Sequence, residues 1–297
     1  MDARALALGI GFAVMWSSAF TSAKIVVAHA PPLTALSVRF AISGLIAVVI
    51  ARAMGQTWRL TRSQWRATAV FGLCQNALYL GLNFIAMRSI DAGLASIIAS
   101  TMPLLVAFTG WALFRERLPA MGVAGLFAGL AGVALIMGSR ISGGVDLGGL
   151  GLCIAGVLAL TVATLSVRGA SSGGNLLMVV GLQMLVGSAI LTVAALLFEE
   201  WQVDWTPSLI LAFAYTTLVP GLAATLTWFV LVGRIGATRA ASFHFLNPFL
   251  GVALAALVLG EQLGPLDLAG VAIIMVGILA VQLTKAPAPS APRRTSA

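Results

Sequence analysis

Long apolar runs dominate the pattern of hydrophobic and polar positions along this chain, and Gly, Pro or charged residues separate them. Each run holds about 20 residues, the length that an α-helix needs to cross the hydrocarbon core of a bilayer. The connecting segments are too short for a soluble domain. The pattern predicts an all-α polytopic membrane protein with ten helices, near residues 5–27, 33–52, 66–88, 92–114, 119–138, 147–168, 175–198, 207–232, 238–259 and 264–284.

The composition indicates that the chain is surrounded mainly by lipid rather than by water. Hydrophobic residues make up 60% of the 297 residues and charged residues 9%, whereas soluble domains carry about 25% charged residues. The basic residues form no continuous patch, so no nucleic-acid partner is expected. Cys74 and Cys153 lie on different predicted helices and are expected to be free thiols. The apolar run after Arg4 lacks a persuasive cleavage site, so it is taken as the first helix rather than a signal peptide.

The distribution of charge predicts the orientation. With a cytoplasmic N-terminus, most of the 17 Lys and Arg residues fall on the cytoplasmic side: Arg4, Arg52, Arg59, Arg62, Arg66, Arg115, Arg117, Arg168, Arg234, Arg239, Lys285, Arg293 and Arg294. The opposite loops carry the acidic residues Asp91, Asp146, Glu199, Glu200, Asp204, Glu261 and Asp267. The positive-inside bias predicts a multi-pass protein of the bacterial inner (plasma) membrane with both termini cytoplasmic.

The two halves of the chain are related by an internal repeat. A shift of 145 residues superposes Pro103 on Pro248 and Glu116 on Glu261 without a gap. Because a unit of five helices is odd, the second unit must cross the membrane in the opposite sense, as in many transporters. The predicted organisation is a first five-helix unit over 1–139, an inverted second unit over 140–284 and a disordered cytoplasmic tail over 285–297.

Several short motifs recur in the order expected for one family. They are Trp16-Ser17-Ser18-Ala19-Phe20, Pro32 followed by Arg39-Phe40, Pro103, Glu116-Arg117-Leu118, Pro248 and Glu261-Gln262-Leu263. On these motifs the chain resembles the drug/metabolite transporter superfamily, with two EamA-type units before the tail. The resemblance implies ten helices around a central cavity and export of small metabolites by alternating access. Within the superfamily the chain is most similar to the aromatic amino-acid exporters of the YddG type.

Polar side chains inside the predicted helices mark a candidate cavity. Gln75, Tyr79 and Asn83 recur every four residues on one helix face. Such groups either bind a zwitterionic substrate or form interhelical hydrogen bonds, and hydroxyls often bond their own helix. Trp16 lies at mid-helix depth and either offers a ring to substrate or packs against lipid. The substrate-cavity candidates are Trp16, Ser17, Thr21, Gln75, Asn76, Tyr79, Asn83, Ser100, Thr164, Trp228, His244, Phe245 and Asn247.

Four further residues are candidates for gating or helix kinks: Arg39, Pro103, Pro220 and Pro248. Proline leaves a helical carbonyl without its donor and can bend the helix. Arg39 is the basic residue placed well inside a span, where it could bind a carboxylate, snorkel or tie helices together. The sequence favours a role for Arg39 in gating rather than in substrate choice. Glu116 and Glu261 lie at helix ends, where interfacial hydration suffices to explain them.

No Asp or Glu is predicted at mid-membrane depth, where ion-coupled transporters often carry one. Export without ion coupling is therefore expected, and the resemblance implies aromatic or large neutral amino acids as the substrates. Proton coupling through His244 and export of other amphipathic metabolites or drugs are the alternatives. Gly169-Ala170-Ser171-Ser172-Gly173 fits a hydrolase pattern, but a loop between spans lacks the strand and helix that this pattern requires. An enzyme, a cofactor and a metal are not expected. The expected partners are a small-molecule substrate and the lipid bilayer, with the chain a monomer or homodimer.

Overall fold

A computed structural model describes residues 3–166 and 174–284, and it confirms the all-α polytopic architecture. Ten helices are long and apolar enough to cross a membrane: α1 (Ala3–His29), α2 (Pro32–Ala53), α3 (Arg62–Ala86), α4 (Ala92–Ala112), α5 (Ala120–Ser142), α6 (Leu147–Ser166), α7 (Leu176–Phe198), α8 (Pro207–Ile235), α9 (Arg239–Leu259) and α10 (Pro265–Thr284). Arg168, the Gly169–Gly173 segment and the tail over 285–297 lie outside the described residues.

Local sequence signals explain where several helices begin. Thr61 and Gln64 form a reciprocal capping box at the start of α3, which satisfies two backbone N–H groups that the helix cannot pair. The Thr206 hydroxyl accepts from Leu209 N ahead of α8. Proline occupies the first turn of α2 and of α8, where its fixed φ suits a helix and no N–H is missed.

The helices pack in pairs that follow the sequence repeat. α2 packs along α7, and α5 packs along α10. α1 packs against α8 and α9, and in the matching relation α6 packs against α3 and α4. The first helix of each half therefore packs against helices of the other half, and the two halves form one bundle.

Glycines set the close approach of α5 and α10. A Cβ on Gly277 would lie 2.6 Å from the carbonyl oxygen of Gly125, and a Cβ on Gly132 would lie 2.9 Å from that of Gly270. Small residues of this kind let membrane helices gain dispersion contacts along their backbones. The glycine-rich face of α5 is thus used inside the chain, a choice that the sequence left open.

Two helices contain a π-helical segment at corresponding places of the repeat. α3 contains a π-helical segment over Gly72–Tyr79, and α8 contains one over Val219–Ala223, which includes Pro220. A π segment changes the direction of side chains and frees carbonyls from the regular pattern, and it occurs frequently at functional sites. The shift of 145 residues brings these segments into register.

Two other helices are interrupted just before a proline. α4 has a turn at residues 100–101 ahead of Pro103. α9 has a 3₁₀ turn over Phe243–Leu246 ahead of Pro248. The ring of each proline disfavours the regular helix over the preceding residues, and the two interruptions are again related by the repeat.

The outer surface of the bundle is apolar along the helices. Leu257 is 82% exposed and Val276 is 66% exposed, which is a surface suited to lipid chains. Trp58 and Trp201 are exposed in connections between helices, where tryptophan commonly meets the bilayer interface. Cys74 and Cys153 are both buried and free.

Candidate functional site

A cavity of about 480 Å³ lies inside the bundle, and in the described part of the chain its lining comes from α1–α4 and α6–α9. Side chains of α5 and α10 do not line it in the described residues. The lining groups with polar atoms are Trp16, Ser17, Arg39, Gln75, Asn76, Tyr79, Ser96, Ser100, Thr164, Gln183, Thr225, Trp228, His244 and Asn247. A volume of this size falls in the range of small-molecule sites.

Aromatic rings form one wall of the cavity. The Phe12 ring centroid lies 4.9 Å from that of Trp228, 5.7 Å from Trp16 and 5.3 Å from His244, which it meets edge to face. The His244 ring also lies 5.3 Å from Trp228. Tilted and edge-to-face contacts of this kind stabilise aromatic clusters and leave ring faces for a further aromatic or apolar group.

Several polar groups of the wall already have partners within the protein. Asn76 Nδ2 donates to Gln183 O at 2.8 Å. Asn247 Nδ2 and His244 Nδ1 are 2.9 Å apart, and Ser17 Oγ lies 3.4 Å from Asn247 Oδ1. These bonds orient the side chains of α1, α3 and α9 before any substrate is present.

Hydroxyls of the wall bond their own helices. Ser100 Oγ donates to Ser96 O at 2.7 Å, and Thr164 Oγ1 donates to Leu160 O at 2.8 Å. This local bonding is common for Ser and Thr in apolar helices. The hydroxyl oxygens can still accept a hydrogen bond, so the structural role and a substrate contact are compatible.

A small extension of about 50 Å³ continues from the main cavity. Trp16, Arg39, Gln75 and Tyr79 line both spaces. The extension reaches Met87, whose carbonyl accepts from Lys24 Nζ at 2.6 Å. Residues shared by the two spaces therefore stand where the cavity narrows toward one end of the bundle.

The structure brings most of the predicted cavity residues together. Ten of them line the main space: Trp16, Ser17, Gln75, Asn76, Tyr79, Ser100, Thr164, Trp228, His244 and Asn247. Arg39, Pro103 and Pro220 from the gating set also line it. Trp16 faces the cavity and not lipid. Contact with a substrate stays a prediction for all of them.

Four predicted residues lie elsewhere. Asn83 lines only the small extension and is held by bonds to Tyr79 O and Cys153 Sγ. Thr21 and Pro248 are buried in helix packing, and Phe245 packs against the main hydrophobic core. The interrupted turn of α9 rotates neighbouring side chains to different sides, which simple helical spacing does not anticipate.

Several lining residues were not among the candidates from the sequence, and Phe12 and Gln183 are two examples. Phe12 is an apolar residue in an apolar helix, so no local signal marks it. Gln183 is the repeat counterpart of Arg39 under a shift of 144 residues, and both residues line the cavity. The repeat could therefore have identified Gln183.

Charged side chains tie the helices together at one end of the bundle. Glu199 accepts from Leu33 N at 2.7 Å, and Glu261 accepts from Ala92 N at 2.7 Å and Gly93 N at 2.9 Å. A carboxylate at the first turn of a helix satisfies unpaired N–H groups and complements the helix dipole. Glu261 thus has a specific structural partner, which corrects the view that hydration alone explains it.

Further polar contacts lie at the same end. Arg140 bridges Asp267 at 2.8 Å and Asp91 at 3.1 Å. Asp146 accepts from Ser89 Oγ and from the backbone N–H of Gly149. Those hydrogen bonds, with that from Ser89 the larger, hold the pKa of Asp146 below its usual range. These residues lie in or next to the loops predicted to face outside.

A bundle of ten membrane-length helices that encloses a partly polar cavity is the architecture of a multi-pass membrane transporter for small molecules. The sequence profile of the EamA-like transporter family matches residues 3–138 and again 147–283. The chain belongs to that family.

Curated relatives span nearly the whole chain. The chain is 29% identical over 279 residues to the uncharacterized transporter YvbV of Bacillus subtilis (strain 168), covering 94% of this chain and 91% of the relative. It is 24% identical to the uncharacterized inner membrane transporter YedA of Escherichia coli (strain K12), with coverage of 94% and 90%.

The chain is also similar to a third relative and to a solved structure. The chain is 25% identical to a probable amino-acid metabolite efflux pump of Salmonella typhimurium (strain LT2), with coverage of 89% and 90%. A crystal structure with 22% sequence identity superposes with a TM-score of 0.69 over 95% of this chain and 98% of the other. At this identity the likeness concerns the fold.

Proposed function

We propose that this protein exports amino acids, aromatic or large neutral, by facilitative alternating access through the central cavity. The observation that carries the proposal is the division of the cavity wall. The rings of Phe12 and Trp228 line the main space alone, whereas Arg39 and Gln75 also line the narrow extension, which Trp16 borders as well. An amino acid with a large apolar side chain is divided in the same way, because its side chain is apolar and its amino and carboxylate groups are charged.

The absence of acidic side chains in the cavity wall supports transport without ion coupling. Within residues 3–166 and 174–284, no Asp or Glu lines the cavity, whereas proton relays and sodium sites commonly use an intramembrane carboxylate. His244 is the titratable group that would carry a proton if transport were coupled. Its contact with Asn247 gives it a structural role that needs no proton transfer.

An inverted duplication supports alternating access. The family profile matches once in each half of the chain, and helix pairs such as α2 with α7 join equivalent positions of the two halves. Two opposed units can exchange an inward-open and an outward-open shape around one site. The proposed units are 1–139 and 140–284, in an inner membrane with both termini cytoplasmic.

Counterflow in proteoliposomes tests the proposal. Vesicles are preloaded with unlabelled tryptophan, phenylalanine or threonine and then given the same amino acid in labelled form. Saturable uptake should be confined to the aromatic or large neutral amino acids, and its rate should not depend on an imposed pH gradient. Saturation distinguishes a transporter from a channel. An absence of exchange with every amino acid would contradict the substrate class, and a strict need for the pH gradient would contradict the facilitative mechanism.

The Salmonella relative supports a test of amino acids before other compounds, because it is described as a probable amino-acid metabolite efflux pump. The aromatic preference that characterises YddG-type exporters is the finer part of the proposal. It predicts that phenylalanine and tryptophan exchange faster than threonine at equal concentration.

A further inference from the structure

Arg39 is a buried cation that faces the cavity. It is the eighth residue of α2, and only 6% of its surface is exposed. Its side chain lines both the main cavity and the small extension. Its Cζ lies 5.3 Å from the centroid of the Phe40 ring, a distance at which a ring stabilises a guanidinium.

The guanidinium has no anionic partner in the described part of the chain. Arg39 Nε is buried and makes no hydrogen bond there, and the ion pairs of that part involve Arg140 and His29 instead. The neighbouring hydroxyl of Ser43 donates to Thr217 O at 3.3 Å. The nearby polar groups therefore leave the charge of Arg39 uncompensated.

An uncompensated arginine at this depth is costly. The guanidinium stays protonated under all ordinary conditions, and a buried charge that lacks a partner is strongly destabilising. No acidic residue of the described chain lines the cavity, so an anion that compensates Arg39 would come from the contents of the cavity.

The surroundings of Arg39 leave room for such an anion. Gly221 in the π segment of α8 has no side chain, and a Cβ there would approach Arg39 Nη2 to 3.7 Å. Gln75 borders the same space, and no hydrogen bond of its side chain occurs within the described residues. A fork of N–H donors and an unused amide that line the same space can together bind the two oxygens of a carboxylate.

We infer that Arg39 binds the carboxylate of the transported molecule at the junction of the cavity and its extension. The inference rests on the proposed function and deepens it, because it makes a carboxylate the required part of the substrate. It also revises the expectation from the sequence that Arg39 acts in gating rather than in substrate choice. The aromatic wall would then hold the apolar part of the same molecule.

Binding of two phenylalanine fragments tests this inference without relying on transport. The probes are 3-phenylpropionate, which lacks the amine, and phenethylamine, which lacks the carboxylate. Each is titrated against the purified full-length protein in detergent, and the midpoint of thermal unfolding reports binding. We expect a saturable rise with 3-phenylpropionate and an apparent affinity for phenethylamine that is about tenfold weaker or worse.

Three variants locate the site. In Arg39→Gln the preference for 3-phenylpropionate should fall to about twofold or less, and Arg39→Lys, a point charge without the fork, should keep an intermediate preference. Arg52→Gln is the matched control, because Arg52 is an exposed residue at the other end of the same helix. Its preference should equal that of the wild type. Chloride titrated in a chloride-free sulfonate buffer, which contains no carboxylate, shows whether a simple halide competes for the same site.

The outcomes separate the inference from the proposed function. Selective binding of 3-phenylpropionate that Arg39→Gln abolishes upholds the carboxylate site even if amino-acid counterflow is absent, in which case only the substrate class fails. Equal binding of both probes by the wild type, binding of neither, or undiminished selectivity in Arg39→Gln overturns the inference. If Arg39→Gln does not fold, the comparison of the two probes on the wild type and on Arg39→Lys still decides. Saturation by chloride with no effect of 3-phenylpropionate also overturns it.

Discussion

Polar side chains of the cavity differ in whether their hydrogen-bonding atoms already have partners within the protein. Asn76 and Asn247 are bonded to neighbouring helices, and Ser100 is bonded to its own helix. Arg39, Gln75, Trp16 and Tyr79 line the narrow part of the cavity, and no hydrogen bond of their side chains occurs within the described residues. The first set holds the shape of the site, and the second set is suited to bind a ligand.

The aromatic wall leads to a prediction about selectivity. Trp228→Leu removes the ring that packs 4.9 Å from Phe12, while an apolar side chain stays in place. Aromatic pairs contribute about 0.5–1.5 kcal/mol beyond buried area, so the half-saturating concentration for tryptophan should rise about two- to tenfold and that for leucine should change less. Competition in counterflow measures both. Trp205→Leu, on an exposed loop, should leave both unchanged, and an equal loss for both amino acids would argue against an aromatic subsite.

Asp146 gives a prediction that depends on pH. Its carboxylate caps the start of α6 by accepting from Gly149 N, and its pKa is held below the usual range, chiefly by Ser89. A depressed carboxyl pKa contributes stability that is complete above the unfolded pKa of about 4 and is lost as the pH falls through the folded value.

Asp146→Asn should therefore unfold at a lower temperature than the wild type at pH 7. The difference should stay constant down to about pH 4 and shrink below it. Thermal unfolding in detergent over this pH range measures it. Glu200→Gln removes an exposed carboxylate and serves as the control. A difference that grows as the pH falls would contradict the assigned role of Asp146.

At the scale of helices, glycine contacts define the pair α5 and α10. Gly277→Ala would place a Cβ 2.6 Å from Gly125 O and 2.7 Å from Gly129 Cα, so the two helices would have to separate. Such overpacking costs about 1–3 kcal/mol. Thermal unfolding in detergent should show the loss.

Gly138→Ala is the matched control on α5, because no atom lies within 4 Å of its added Cβ. In an exposed helix interior this change should be neutral or stabilising by about 1 kcal/mol, since alanine favours the helix. Opposite signs for the two substitutions support the close pair. Equal effects would contradict it.

The sequence predicted the positions of the helices well, and it was less informative about the irregular segments inside them. Run length placed all ten helices, because a bilayer fixes the number of apolar residues that each needs. Pro103 and Pro248 marked interruptions in α4 and α9. The π segment Gly72–Tyr79 could not be predicted, because no residue in it forces the wider turn. The segment packs against α6 and α7, and these contacts are not visible in the sequence.

The same limit applies to the cavity. Gln75 and Tyr79 were found because polar groups in apolar helices are conspicuous. Phe245 was misplaced because neighbouring residues in the irregular turn of α9 face different sides. Phe12 was missed because the role of an apolar residue depends on which helices surround it. The pattern of apolar and polar residues along the sequence does not contain that information.

At the scale of the whole molecule, the inverted repeat predicts opposite locations for equivalent loops. Ser63 at the start of α3 and Gln202 between α7 and α8 are both exposed and lie in or next to connections related by the repeat. Single cysteines at these positions, in a background with Cys74→Ser and Cys153→Ser, can be labelled with an impermeant maleimide on intact cells.

Gln202→Cys should react from outside, and Ser63→Cys should react only after the cells are permeabilised. The reason is the positive-inside bias, which places the arginine-rich loop before α3 in the cytoplasm. Reaction of both cysteines from the same side would contradict the inverted topology. Reversed reactivity would keep the inversion and contradict the cytoplasmic placement of the termini.

The most direct test of the account asks whether the cavity is the path of the substrate. Ser100 lines the cavity on α4, and Ser100→Cys in the same cysteine-free background places a small reactive group there with little change in volume. The rate of alkylation and the remaining phenylalanine counterflow are measured together in proteoliposomes. Phenylalanine should slow alkylation, and the alkylated protein should lose exchange, while labelled Ser63→Cys keeps it. Undiminished counterflow in fully alkylated Ser100→Cys would contradict the central claim.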